Sequence, residues 1–509
     1  MAAVARHRSG RDLLVIACVG VCVYGCRARN ETVQSPPLTL QVGVALPRPG
    51  VRGAGIGAVM QTLSSETLLV ADRVGRVQPR ICEKWEWAEE GRVLRLTLRP
   101  NVRFHDDTEL TPQVAAEILR LAFAQPDTPP SFASVTAVKP VPPNVVEIHL
   151  RQIEALLPSD LPEIPIVKGK ERIGTGPFRV SHESPMTFTA FDAYYQGRPD
   201  IGRVEIKPYP TLRSAWTAMM RGDINMLHEV SREAAHFVEQ ESSVRSYPFL
   251  RPYYFFVGFN VRHPVLGRRE VRQALSQAVD RAAIVRDAMD GRGEPADGPI
   301  WKYFWAYSEA ERRLAYNPEA ARLRLDSAGF PVVASRPGAM PSRLRFTCLM
   351  YGEDPRFERI ALVLQKQLYD IGVDMQLEAV PLTNLAKRVQ SGDYDAFLLE
   401  MLSGRSLTWL YRAWRSRPPG VPVEFFASGY TAADAVLDRL RHTITEPETR
   451  EAIGELQRVL YDDPPALFLA WPQASRAVSA DIDVPYVPDS DIFGRVAKFR
   501  RATPGIARQ

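Results

Sequence analysis

The sequence predicts an α/β protein built as two lobes. Two stretches, one on each side of residue 250, carry that prediction. In the first, residues 204–207 are strand-like and positions 212, 215, 216, 219 and 220 form one apolar helical face. Gly222 closes that helix, and residues 224–227 return to strand character. In the second, residues 344–350 read as a strand, and Phe357, Ile360, Ala361, Leu364, Leu368 and Ile371 mark one helix face ending at Gly372. A strand at 373–380, a helix at 384–390 and a strand at 394–401 follow. Consecutive strand–helix–strand units argue for parallel sheets with helices packed on their faces. Ligands of such sheets bind beyond the carboxyl ends of the strands, so two lobes imply a cleft between them.

Composition agrees. At ~150 residues per domain, 509 residues suggest about three domains. The chain is 45% hydrophobic and 24% charged, which excludes a disordered chain, a collagen and a multi-pass membrane protein. The net charge of +5 is mild and its basic residues are scattered, so no nucleic-acid partner is expected. There are 42 Pro against 32 Gly, which suggests long ordered connections rather than low complexity.

The elements follow in order. Arg6, Arg8 and Arg11 precede the apolar run 13–25, a basic-then-apolar pattern that reads as a secretory signal. The run is too short for a spanning helix, which needs ~20 apolar residues. It ends in Val23-Tyr24-Gly25-Cys26, which resembles a bacterial lipobox and makes Cys26 the expected lipidated residue. A plain cleaved signal and a buried N-terminal helix are the competing readings. Residues 40–46 read as the first strand, and residues 81–98 as two strands around the turn Glu89-Glu90-Gly91. Thr111-Pro112 opens a helix, a capping residue followed by Pro at the first position. Residues 127–143 are Pro-rich and read as a loop, and 145–150 as a strand.

Several stretches resemble the family 5 extracellular solute-binding proteins, the peptide- and dipeptide-binding components of bacterial ABC importers. Residues 81–119 (ICEKWEWAEEGRVLRLTLRPNVRFHDDTELTPQVAAEIL) carry that family's Trp strand, acidic-Gly turn, Leu-rich strand, Phe-His-Asp and Thr-led helix. Ile173-Gly174-Thr175-Gly176-Pro177-Phe178, the segment 194–199 (YYQGRP), Phe259-Asn260 with 269–281 (REVRQALSQAVDR), and 316–330 follow in the family's order. The resemblance implies a two-lobed periplasmic-binding-protein fold of type II with an extra subdomain and a hinge. On that plan residues 1–25 are the signal and 26–38 a tether. Lobe I takes 39–62, 173–252 and 466–509, a reduced insert takes 63–172, and lobe II takes 253–465. Asp107 stands where the family carries Gly, so Asp107 is expected in a positive-φ turn. Met401 stands where peptide-binding relatives carry Trp, and their ammonium-binding Asp has no aligned counterpart.

The resemblance also implies which residues touch a solute. Aromatic walls suit an extended ligand, and the candidates are Tyr253, Tyr254, Asn260, Trp301, Tyr303, Trp409 and Trp471. Glu400 is a candidate carboxylate. Arg405, with Arg412, Arg415 and Arg417, makes its segment basic, read either as a solvated face or as a preference for an anionic group. Catalytic signatures are missing from the sequence. Gly404-Arg405-Ser406 lacks the second Gly of a nucleophile elbow, Gly174-Thr175-Gly176 has no following Gly-Lys-Ser/Thr, and no His pair has zinc spacing. The expectation is a monomeric, lipid-anchored binding protein of an ABC importer, with no cofactor. It would close on a peptide or related solute by hinge motion and deliver it to a membrane permease. A sensor or chaperone-like binder on the same fold, and an exported hydrolase, are the alternatives.

Overall fold

The computed structural model describes residues 37–45, 54–125, 128–181, 183–184, 186–230, 232–309, 314–332, 342–403, 406–417, 425–488 and 490–502. The signal and anchor readings, Cys26 included, lie outside these residues, as does Arg405.

The architecture is mixed α/β and two-lobed, and a twelve-stranded sheet runs through both lobes. In the first half, Leu38–Ala45 is parallel to Ile201–Tyr209 on one side and to Met226–Leu227 on the other. The connecting helix Leu212–Met220 matches its sequence prediction. Thr211 caps it by accepting from the Ser214 N–H, and Gly222 follows at φ 77°. In the second half, Leu344–Tyr351 lies between Val373–Val380 and Ala396–Leu402, and both pairings are parallel. The helix Pro355–Tyr369 buries Phe357, Ile360, Ala361, Leu364 and Leu368, the face the periodicity marked.

One long strand ties the halves together. Ala466–Ser479 pairs antiparallel with Tyr253–Phe259 near its start and with Val244–Leu250 along its later part. The chain therefore crosses between the halves twice, at 250–253 and at 470–473. The Arg251 N–H donates to Pro472 O at 2.9 Å where the two crossings meet. Tyr253–Phe259 is buried on both faces. One face joins an aromatic core containing Tyr254, Phe256, Trp301, Trp414, Phe468 and Trp471, and the other meets the 355–369 helix.

A separate four-stranded antiparallel sheet has the order Cys82–Ala88, Val93–Leu98, Val145–Leu150, Val135–Val141. Its helix Pro112–Phe123 starts at the expected cap, Thr111. The loop expected at 127–143 is corrected here. Pro130–Ser134 forms a short 3-10 turn, and Val135–Val141 is a strand despite Pro140. That strand is outermost, where a missing N–H costs no ladder bond.

Two turns explain sequence features physically. Asp107 has φ 63°, the positive-φ conformation expected of it, and its carbonyl accepts from Arg103 Nη1 at 2.6 Å. Gly174 and Gly176 lie against the backbone of Ser64. A Cβ at Gly174 would sit 2.0 Å from Ser64 O, and one at Gly176 2.6 Å from Ser64 C. His105 closes the same corner, with Nε2 3.0 Å from Gly176 O. Burial lowers the His105 pKa, which favours a neutral imidazole donating that bond.

Candidate functional site

The carboxyl ends of the parallel strands from both halves converge beside the crossing strands. Asp354 follows Leu344–Tyr351 and caps the helix Pro355–Tyr369 by accepting from the Arg356 N–H at 2.9 Å. Glu400 lies near the end of Ala396–Leu402. Ala396 and Leu398 enter the core on that strand face, and Glu400 is the next residue on it, at the core's rim. From the first half, Glu229 follows Met226–Leu227.

Arg356 links these carboxylates. Its Nη2 lies 2.7 Å from Asp354 Oδ2 and 3.3 Å from Glu400 Oε2. Burial opposes its charge, but Glu400, Asp354 and Glu229 together hold its pKa above the ordinary value. Burial likewise works to raise Asp354, and the bonds from Arg356 outweigh it, so Asp354 stays below the usual carboxylate range. Arg251, at the crossing, stacks its guanidinium 4.5 Å over the Tyr253 ring. It approaches Glu400 Oε1 at only 3.5 Å. That oxygen is buried and accepts no hydrogen bond among the described residues. The cluster sets Asp354, Glu400 and Glu229 against Arg356 and Arg251, with Arg359 acting on Asp354 as a third guanidinium. The acceptor capacity it leaves unmet among the described residues is that of Glu400 Oε1.

The other candidates separate by environment. Tyr253 is half-buried and joins the cluster through Arg251. Tyr254, Trp301 and Trp471 are 1%, 2% and 1% exposed. Trp471 meets the other two edge-on, with ring centroids 5.4 Å from Tyr254 and 5.0 Å from Trp301. Asn260 uses its amide on the Gly392 and Tyr394 carbonyls, at 3.2 and 2.9 Å. Tyr303 is half-buried under Arg73 at 5.0 Å and reaches Glu294 Oε1 at 3.2 Å. Trp409 donates to Glu163 Oε1 at 2.9 Å, away from the cluster. In the basic segment, Arg415 pairs with Asp438 at 2.9 Å and Arg412 stacks on Trp409. Sequence reasoning missed Arg251, Asp354, Arg356 and Glu229. An Asp-Pro helix start four residues beyond a predicted strand was the available signal for Asp354.

A depression of about 290 Å³ lies apart from this cluster, between Thr347, Glu378, Arg388, Asp393 and Asp395. Its Arg388 already pairs with Glu378 at 2.6 Å. Among the described residues no group of three or more His, Cys, Asp or Glu is placed to hold a metal, and no helix is long and apolar enough to cross a membrane.

Two α/β halves joined by crossing strands, with a polar cluster where their carboxyl ends meet, define a two-lobed binding protein of the periplasmic type. The profile described as "Bacterial extracellular solute-binding proteins, family 5 Middle" matches residues 76–414. The chain belongs to the family 5 bacterial extracellular solute-binding proteins. These are binding proteins rather than enzymes. Over 462 residues it is 22% identical to the dipeptide-binding protein of Escherichia coli, covering 79% of this chain and 82% of that one. Among solved structures it resembles the oligopeptide-binding protein AppA of Bacillus subtilis in complex with a nonapeptide. The TM-score is 0.73 and the identity 20%, over 92% of this chain and 100% of that one. It also resembles NikZ of Campylobacter jejuni in complex with Ni(L-His), with TM-score 0.74 and identity 20% over the same shares.

Proposed function

We propose that this chain is the substrate-binding lipoprotein of an ABC importer, anchored through Cys26, which captures a peptide or related amine-bearing solute between its lobes. Closure then presents the loaded form to a membrane permease. Glu400 accepts the solute's cationic amine. Tyr253 and Arg251 flank it, and Tyr303 lines the approach. The single observation that supports this reading is Glu400 Oε1, buried beside the crossing strands with no hydrogen-bond donor among the described residues. A buried acceptor without a donor carries a cost of about 1–3 kcal/mol, which a bound ammonium relieves.

The test is calorimetry of the purified protein with di- to nonapeptides and with the same peptides N-acetylated. Free peptides are expected to bind and acetylated ones to bind at least tenfold more weakly. Glu400→Gln is expected to lose about 1.5–3 kcal/mol, as for a hydrogen bond to a charged group. Equal affinity for the free and acetylated forms sinks the assignment of Glu400. Mass spectrometry of whatever co-purifies identifies the natural solute.

A further inference from the structure

Residues 128–163 meet the second lobe along a seam of buried charge. Glu154 is fully buried, and Arg441 reaches it from the end of the helix Asp434–Leu440 at 5% exposure. Arg441 Nε donates to both Glu154 oxygens at 3.2 and 3.1 Å, and Nη2 donates to Oε2 as well. Arg441 Nη1 donates to the Tyr411 hydroxyl at 3.2 Å. Backbone bonds cross the same seam, with the Ala155 N–H 2.6 Å from Arg441 O.

Asp160 lies within this seam at 0% exposure. Ser131 Oγ donates to its Oδ2. Thr408, from the helix Leu407–Trp414, faces it from the other lobe. Yet Asp160 Oδ1 and the Thr408 hydroxyl both lack a hydrogen-bond partner among the described residues. The ionisable groups around Asp160 are unhelpful to a negative charge. Glu163 and Glu154 are both acidic, Arg441 is engaged by Glu154, and Arg412 stands beside Glu163 on the far side of Trp409. Burial first, then Glu163 and Glu154, push the Asp160 carboxyl up to about 8, against the bond from Ser131 and the Thr408 hydroxyl that faces it.

We propose that this seam is a proton-coupled latch, which closes with Asp160 as a neutral acid and opens with Asp160 as a solvated carboxylate. The proposal rests on the reading that the lobes open and close around a solute. Opening would carry Ser131 and Asp160 away from Thr408 and expose all three to water. There Asp160 regains the ordinary carboxylate pKa of roughly 4. Closing then takes up one proton at neutral pH. The pKa is raised in the closed form, so the proton's contribution to closure is complete below the open-state value. It is lost as pH rises to about 8 and is level above that. Within that window the closed-to-open ratio falls by up to about tenfold per pH unit.

Small-angle X-ray scattering of the full chain without added solute, from pH 5 to pH 9, reads the opening directly. The wild type is expected to expand as pH rises toward 8. Asp160→Asn, an isostere of the neutral acid, is expected to stay compact across the range. A radius of gyration independent of pH in the wild type, or the same expansion in the variant, overturns the proposal. Should Asp160→Asn fail to fold, hydrogen exchange of residues 407–414 in the wild type carries the same test. Protection corrected for intrinsic rates is expected to fall from pH 5.5 to pH 8, and equal protection overturns the latch. Neither readout uses a peptide. A pH-dependent seam without peptide binding removes the solute reading and keeps the latch, while peptide binding with a pH-independent seam does the reverse.

Discussion

Replacing Trp471 by Ala separates a core role from a ligand contact. Trp471 sits on the strand Ala466–Ser479 where the chain crosses between halves, and it is 1% exposed. A buried Trp removes on the order of 200 Å² from water, worth about 5 kcal/mol at ~25 cal/mol per Å². Ala retains part of that burial, and the vacated space collapses only in part. Measured Trp→Ala losses of about 3–5 kcal/mol reflect that balance. The edge-on contacts with Tyr254 and Trp301, at interplanar angles of 67° and 82°, place the expected loss in the upper part of that range. Urea unfolding followed by far-ultraviolet circular dichroism measures it, with the slope unchanged if only the native state is affected. The folded fraction should bind solute within about threefold of wild type, since 1.4 kcal/mol corresponds to roughly tenfold. A stability loss under about 1 kcal/mol with affinity down more than about tenfold would refute the reasoning and make Trp471 a cleft residue.

Three further outcomes are expected. Arg441→Met strands the buried Glu154 and should cost about 3–5 kcal/mol, while adding Glu154→Met should restore most of it. Strictly additive losses in that double-mutant cycle would contradict a coupled pair. Asp107→Val places a β-branched residue at φ 63° and should cost about 1–2 kcal/mol by thermal unfolding, with Asp107→Asn close to neutral. An Asp107→Val protein as stable as wild type would show that the turn relaxes. Burial pushes the Cys82 and Cys348 thiols up to about 12, so at pH 8 about one in ten thousand is thiolate. Iodoacetamide at pH 8 should spare both in the native protein and modify both in urea, read by peptide mass spectrometry. Rapid native labelling of either would contradict its burial.

The sequence by itself determined the local grammar of this protein. Thr111-Pro112, Gly222, Gly372 and the apolar face from Phe357 to Leu368 each act within one or two turns of chain, so their signals survive without knowledge of the fold. Asp107 belongs with them, because a positive φ restricts residue type wherever it occurs. The motifs in register gave the family, and with it the two lobes. Tertiary structure decided the rest. Pro140 is tolerated in a strand because its strand is the outermost of four, a fact of pairing and not of composition. Tyr254, Trp301 and Trp471 have the same chemistry as cleft aromatics. Tyr254 is in the core because its strand is covered on both faces, and Trp301 and Trp471 pack around it. Glu400 was legible as a carboxylate near the right place. Its partners Arg251 and Arg356 were not, because they lie far from it in sequence and only the sheet pairing brings three strand ends together. Torsion preferences are written locally, whereas burial and charge pairing depend on which distant segments become neighbours.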